Sequence, residues 1–136
     1  MVISGNVILR ECKNLKNIRG ISRINGSLDL WNSINFKNLG NVKYIGGYLD
    51  LRYTKIENLV KLEYVGSYLD LSDTPIQDLG ELREVGGYLN LYNTPLDNLG
   101  NLKEVGHLIF LSKDSKITEE YMKKYKPHLL SKCKWQ

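Results

Sequence analysis

A short motif recurs at nearly constant spacing along most of this chain. Ile45–Leu51 (IGGYLDL) returns as Val65–Leu71 (VGSYLDL) and as Val85–Leu91 (VGGYLNL), with looser copies before and after them. The leucine that ends each copy lies 20 or 21 residues after the previous one, at Leu9, Leu30, Leu51, Leu71, Leu91 and Leu111. A fixed period of this length predicts a solenoid of about six coils, in which each coil buries its apolar side against its neighbours.

Within one repeat, the residue pattern changes from that of a strand to that of a turning segment. Leu89 and Leu91 alternate with Tyr88 and Asn90, which is typical of a short strand with one buried face. Further leucines then follow at three-residue spacing, as expected where each bend places one side chain in the same core. The Gly-Gly or Gly-Ser pair before each strand indicates a corner at which adjacent coils approach closely.

The strand and the residues after it resemble the leucine-rich repeat, whose consensus is Leu-x-Leu-x-x-Asn-x-Leu. Leu49–Ile56 (LDLRYTKI) carries this pattern with Thr54 in place of the consensus asparagine. The other repeats place Cys12, Ser33, Thr74, Thr94 and Asp114 there. Each of these side chains can hydrogen-bond to the loop backbone of its own or the next coil, as the consensus asparagine does. The resemblance implies an α/β-type solenoid of short bacterial repeats, with parallel strands in one concave sheet and a mostly extended or irregular convex side.

The repeats predict two parts of the chain, a solenoid over residues 1–111 and a short helical cap over residues 112–136. Thr118 suits a helix N-cap, Glu119 and Glu120 suit the first turn, and Pro127 should end the helix. We expect the last coil to be covered by five apolar or aromatic side chains, Tyr121, Met122, Tyr125, Leu129 and Leu130.

Charge is unevenly distributed, and this distribution argues against nucleic acid as a partner. Residues 1–61 carry a net charge of +6, residues 62–111 carry −6 and residues 112–136 carry +4. Nucleic-acid binding would require a more uniformly basic surface. There is no apolar run long enough to span a membrane and no signal-peptide pattern, so we expect a cytoplasmic protein.

The sequence contains no motif that predicts catalysis, a metal site or a cofactor. Cys12 and Cys133 lie far apart in the sequence, and neither His107 nor His128 has metal ligands at suitable spacing. The glycine pairs lack both the nine-residue period of calcium-binding repeats and the lysine of a phosphate loop. We therefore expect a protein that is not an enzyme.

The strand pattern predicts three columns of side chains that point to solvent on the concave face. Tyrosines dominate the first column and aspartates dominate the second. The third column and its margin contain aromatic residues and two arginines, Arg10 and Arg52. Tyr, Trp and Arg are the residue types that most often anchor protein interfaces. The candidate partner-binding residues are Asp29, Trp31, Tyr48, Asp50, Arg52, Tyr53, Tyr68, Asp70, Asp73, Tyr88, Asn90 and Tyr92.

These columns favour a non-enzymatic protein-interaction module, whose partner has a basic or mixed-charge surface opposite the aspartates. The absence of alanine and the wealth of Asn, Lys and Ile are typical of AT-rich genomes, which suggests a phage or mobile-element inhibitor of a host protein. Two alternatives stay open. The aromatic residues could stack on carbohydrate rings, or the protein could self-assemble, for instance as a homodimer through the N-terminal edge strand Val7–Leu9.

Overall fold

The computed structural model describes residues 1–136 and is a parallel β-solenoid with two sheets. Its elements in chain order are β1 (Val2–Ile3), β2 (Val7–Ile8), β3 (Arg23–Ile24), β4 (Leu28–Asp29), β5 (Tyr44–Ile45), β6 (Leu49–Asp50), β7 (Tyr64–Val65), β8 (Leu69–Asp70), β9 (Glu84–Val85), β10 (Leu89–Asn90), β11 (Glu104–Val105), β12 (Ile109–Leu111), α1 (Glu119–Tyr125), a 3₁₀ helix (Pro127–Lys132) and β13 (Cys133–Trp135).

Each coil contributes one short strand to each sheet. The six-stranded sheet has the order β1-β3-β5-β7-β9-β11, and the seven-stranded sheet has the order β2-β4-β6-β8-β10-β12-β13. Leu49 pairs with Leu28 on one side and with Leu69 on the other, so equivalent repeat positions form columns across the sheet. The predicted solenoid and its parallel sheet are confirmed. The six-stranded sheet was not predicted.

The repeating aliphatic residues form one continuous core of 32 buried residues from Ile18 to Cys133. Leu49 and Leu51 of the third coil are fully buried, as are Ile56, Leu59 and Leu62 at the bends that follow. Burial of a leucine or isoleucine contributes roughly 1.5–3 kcal/mol, so the stacked coils provide most of the driving force for folding.

Two corners of each of the first five coils use left-handed backbone. Immediately after the seven-stranded sheet the residues with positive φ are Glu11, Asn32, Tyr53, Asp73 and Asn93, with φ between 56° and 59°. Asparagine and aspartate tolerate this conformation better than most residues. The second corner is occupied by glycine in every coil except one, where Val60 has φ 54°.

Of the six residues that replace the consensus asparagine, all except Asp114 hydrogen-bond to the backbone through their side chains, as the sequence predicted. The hydroxyl groups of Thr54, Thr74 and Thr94 donate to the carbonyl oxygens three residues earlier, at 2.6–2.8 Å. Ser33 instead donates to the carbonyl oxygen of Leu9 in the preceding coil. These bonds fix the turn after each strand.

The C-terminal segment covers the last coil, and part of it differs from the prediction. Thr118 caps α1 by accepting a hydrogen bond from the Tyr121 N–H, and Met122 and Leu129 are buried. Tyr125 is exposed, so the prediction that it covers the last coil was wrong. The final residues form β13, which extends the seven-stranded sheet and was not predicted. Neither helix has the length and apolar character that crossing a membrane requires.

Candidate functional site

Three tyrosines stack along the outer face of the seven-stranded sheet. The ring centroids of Tyr48 and Tyr68 lie 4.7 Å apart and those of Tyr68 and Tyr88 lie 4.8 Å apart, with interplanar angles of 5° and 3°. Phe110 continues the row with an edge-on contact to Tyr88 at 5.8 Å. We call Tyr48, Tyr68, Tyr88 and Phe110 the aromatic strip. The parallel register produces the row of tyrosines, because Tyr48, Tyr68 and Tyr88 occupy the same position in successive repeats, whereas Phe110 is in register with Asn90 of the neighbouring column.

The aspartate column beside the strip is buried, so the prediction that it points to solvent was wrong. The exposed fractions of Asp29, Asp50 and Asp70 are 0%, 2% and 4%. Each carboxylate accepts a hydrogen bond from the backbone N–H two residues later, in Trp31, Arg52 and Ser72 respectively. Asn90 makes the same bond with the Tyr92 N–H. The column therefore has a folding role, since each side chain closes the turn at the end of its strand.

Two arginines neutralise part of this buried charge. Arg10 reaches Asp29 from the preceding coil at 2.7 Å, and the Tyr48 hydroxyl donates to the same carboxylate oxygen at 2.8 Å. Arg52 binds Asp50 at 2.7 Å and lies 3.6 Å from Asp70. Asp70 is thus the least compensated of the three carboxylates, because its nearest cation is shared and beyond hydrogen-bond distance.

The pKa shifts of the carboxyl groups reflect this difference. Burial would raise the pKa of Asp29, but hydrogen bonds from Arg10, the Trp31 N–H and Tyr48 outweigh it, and that pKa is lowered. Burial raises the pKa of Asp70, and its hydrogen bonds from Ser72 do not offset the effect. Burial, together with the nearby carboxylates, also raises the pKa of Tyr68 and of Tyr88.

The accessible part of the candidate site is therefore aromatic and mixed in charge. Tyr53 and Tyr92 are 48% and 43% exposed, and Trp31, Arg52 and Asp73 are partly exposed. The Asn93 amide donates to the Asp73 carboxylate at 2.7 Å, which holds the margin of the face in place. The sheet brings the predicted site residues together on one face, with the three aspartates beneath the surface.

An open cleft of about 260 Å³ lies at the C-terminal end of this face. Its walls are formed by Ser72, Asn90, Tyr92, Phe110 and Gln136. Ser72, Phe110 and Gln136 were not among the predicted site residues. The repeat position of Phe110 could have identified it, whereas no sequence signal predicted that Gln136 follows a seventh strand.

The six-stranded sheet carries a second, shorter row of aromatic rings. Tyr44 and Tyr64 stack at 4.9 Å, and the Arg23 guanidinium lies 3.7 Å from the centroid of the Tyr44 ring.

A polar groove of about 320 Å³ lies elsewhere in the later coils. It is lined by charged and amide side chains: Glu63, Glu81, Arg83, Asn101 and Lys103. Neither feature was predicted, because the alternating leucines mark only the strands of the seven-stranded sheet.

No protein-family model, curated protein or solved structure matches this chain. No group of three or more His, Cys, Asp or Glu side chains is arranged to hold a metal ion.

Proposed function

We propose that the protein is a non-enzymatic interaction module that binds a partner protein on the outer face of its seven-stranded sheet. The aromatic strip is the observation that carries this proposal. Its rings are held in register by the sheet, and rigid Tyr and Trp side chains bury a large area with little loss of conformational entropy. Tyr53 and Tyr92 add exposed aromatic surface beside it.

We further propose that the solenoid is of the leucine-rich-repeat type and that this sheet is its concave face. The Leu-x-Leu strands and the threonine hydroxyl bonds after them support the assignment. In that arrangement the aromatic strip lies on the face that contacts the partner.

The partner that fits this face has a mixed-charge rather than a strongly basic surface. All three aspartates are buried and two of them pair with arginines, so the face does not present a row of free carboxylates. Arg52 and Asp73 offer one charge of each sign at the accessible margin. The narrower hypothesis, a cytoplasmic phage or mobile-element inhibitor of a host protein, rests on composition alone.

The proposal is tested by capture from a lysate with variants that keep the fold. Other coils carry Asn in place of Tyr53 and Ser in place of Tyr68 and Tyr92, so the triple variant Tyr53→Asn, Tyr68→Ser, Tyr92→Ser uses residues that the repeat already tolerates. Tyr125→Ser, at an exposed tyrosine of the cap, is the matched control.

We expect the wild type and the Tyr125→Ser control to capture the same protein, and we expect the triple variant not to capture it. Equal capture by all three proteins, with circular dichroism spectra unchanged, would place the binding surface elsewhere.

The open cleft supports a second candidate function, binding of a carbohydrate ring. Phe110 and Tyr92 supply aromatic surface, and Asn90 and Gln136 supply amide groups of the kind that hydrogen-bond to hydroxyls. This function would be favoured if the wild type binds a saccharide on a glycan array and Phe110→Ala does not bind it. An array without binding would remove it.

A further inference from the structure

The two ends of the solenoid differ in how they are covered. At the C-terminal end, the backbone carbonyl groups of the last coil have partners from the cap. The Lys126 ammonium donates to the Leu102 carbonyl oxygen at 2.7 Å, and the Lys132 ammonium donates to that of Val105. His128 Nε2 lies 2.7 Å from the Lys103 carbonyl oxygen. This end has both its apolar core and its carbonyl groups covered.

The N-terminal end has no such cover. Most residues of the first coil that point into the core are only partly buried, Ile18 being buried, whereas their equivalents one coil later, such as Ile24 and Leu28, are fully buried. The partly buried residues are Ile3, Val7, Leu9, Leu15 and Ile21. Val2 and Ile8, in the edge strands themselves, are 55% and 53% exposed. The first coil therefore presents an apolar surface of the kind that every later coil buries.

The backbone of the first coil has no neighbouring strand on the side that faces away from the second coil. The N–H groups of Val7, Leu9 and Glu11 donate to the second coil at 2.7–2.9 Å. Because successive N–H groups along a strand point in opposite directions, those of Ile8 and Arg10 point away from the sheet. β1 and β2 are the edge strands of their sheets. An edge of this kind is a template for one more strand.

The charge of the first coil determines which kind of segment can bind to its edge strand. The first coil carries four basic residues and one acidic residue, Glu11; Arg10 is paired with Asp29, and Lys13, Lys16 and Arg19 are exposed. Two copies that met through their first coils would bring two basic surfaces together. Head-to-tail stacking would place the basic first coil against the C-terminal segment, whose residues 112–136 also carry a positive net charge of +4. A strand with acidic residues on both sides of an apolar segment complements this end in shape and in charge.

We infer that the first coil binds an extended segment of a partner protein, apolar in its centre and flanked by Asp or Glu, which adds to β2 as a further strand of the seven-stranded sheet. The main-chain hydrogen bonds to Ile8 and Arg10 provide the pairing, the partly buried residues of the first coil receive the apolar side chains, and the basic residues attract the acidic flanks.

The probe is a synthetic peptide that alternates valine and threonine over seven residues, with three aspartates at each end. A second peptide with lysines in place of the aspartates is the control. Fluorescence anisotropy measures binding, and amide hydrogen exchange by NMR reports on Ile8 and Arg10. We expect the acidic peptide to bind, to slow exchange at these two amides, and to bind at least about tenfold more tightly than the basic peptide.

Two variants separate strand addition from general attraction. Ile8→Pro removes an N–H that the ladder does not use, and an edge strand tolerates proline there, so we expect the fold to persist and binding to be lost. Lys16→Glu with Arg19→Glu should weaken binding about tenfold or more, while Lys113→Glu with Lys116→Glu, near the other end, should leave it unchanged.

Equal binding of the two peptides, or no protection of the Ile8 and Arg10 amides, would overturn the inference. So would a concentration-dependent dimer in light scattering that Ile8→Pro abolishes, because the occupant would then be a second copy. If Ile8→Pro does not fold, the charge-reversal pairs and the amide exchange still decide the question. None of these outcomes depends on the aromatic strip, so the proposed function is tested separately.

Discussion

Asp29, Asp50 and Asp70 occupy the same position in successive repeats and close the same turn, yet their surroundings differ. The Asp29 carboxylate accepts hydrogen bonds from Arg10 and from the Tyr48 hydroxyl. The Asp70 carboxylate accepts two hydrogen bonds from Ser72, and its nearest cation, Arg52, lies 3.6 Å away and is paired with Asp50. Burial disfavours a charged carboxylate unless its surroundings compensate it. The same residue type therefore stabilises the fold at one position and opposes it at another.

We predict that Asp70→Asn stabilises the protein at pH 7 by roughly 1 kcal/mol. The folded-state pKa of Asp70 is raised, so its ionisation opposes folding above that pKa, and the penalty disappears as the pH falls toward the pKa of the unfolded chain. Asparagine keeps the turn, as Asn90 does in the next coil. Urea unfolding at pH 7 and at pH 3 should show the gain at pH 7 and little at pH 3.

Asp29→Asn is the matched comparison and should destabilise the protein by about 1–3 kcal/mol at pH 7. The folded-state pKa of Asp29 is lowered, so its contribution is present above the unfolded-state pKa and is lost as the pH falls through the folded value. Opposite signs for the two substitutions at pH 7 are expected. Destabilisation of similar size in both would contradict this account of the column.

The sequence predicted the columns of side chains but not the burial of the aspartates. Register follows from the repeat, and alternation with buried leucines such as Leu49 and Leu51 correctly placed Asp50 on the outer face. Burial of each aspartate depends on a bond to a later backbone N–H and on groups from other coils. Arg10 and Tyr48, for example, both bind the Asp29 carboxylate from neighbouring coils. Those contacts are set by tertiary structure, which alternation within one strand does not reveal.

At the scale of the element, the Gly-Gly or Gly-Ser pair forms the corner between the two strands of a coil. A β-carbon at Gly66 would overlap the carbonyl oxygen of Gly46 in the preceding coil, and one at Gly86 would overlap that of Gly66. The sequence predicted this close approach. It did not predict that the residues before the corner, such as Tyr64 and Val65, pair into a sheet of their own.

β13 could not be predicted for a different reason. Cys133–Trp135 has no counterpart in the repeat pattern and only three residues, too few for an alternation signal. Its position is determined by contacts with other elements. The Trp135 ring N–H donates to the Ile117 carbonyl oxygen at 2.9 Å, and Cys133 is buried.

We predict that the lysine contacts of the cap stabilise the last coil. Replacement of Lys126 and Lys132 by methionine keeps side-chain length but leaves the Leu102 and Val105 carbonyl oxygens without these donors, which should cost about 1–3 kcal/mol for each. Lys123→Met with Lys124→Met, at exposed positions of α1, is the control. Thermal unfolding should show a lower midpoint only for the first pair; equal midpoints would mean that packing alone holds the cap.

On the scale of the whole molecule, the protein is a rod of stacked coils whose sides and ends have different properties. One side carries the aromatic strip, the C-terminal end is covered, and the N-terminal coil is basic and partly uncovered. The charge changes sign along the chain, which should orient an approaching charged partner at low salt. A linear arrangement of this kind allows separate surfaces to bind separate segments of one partner.

Site-specific photo-crosslinking in cells tests most directly whether the seven-stranded sheet is the binding face. Benzoylphenylalanine replaces one tyrosine at a time: Tyr53 or Tyr92 beside the aromatic strip, Tyr64 on the six-stranded sheet, and Tyr125 on the cap. We predict that positions 53 and 92 form a covalent adduct with the same protein and that positions 64 and 125 form none. Adducts from position 64 or 125, with none from 53 and 92, would contradict the proposed binding face.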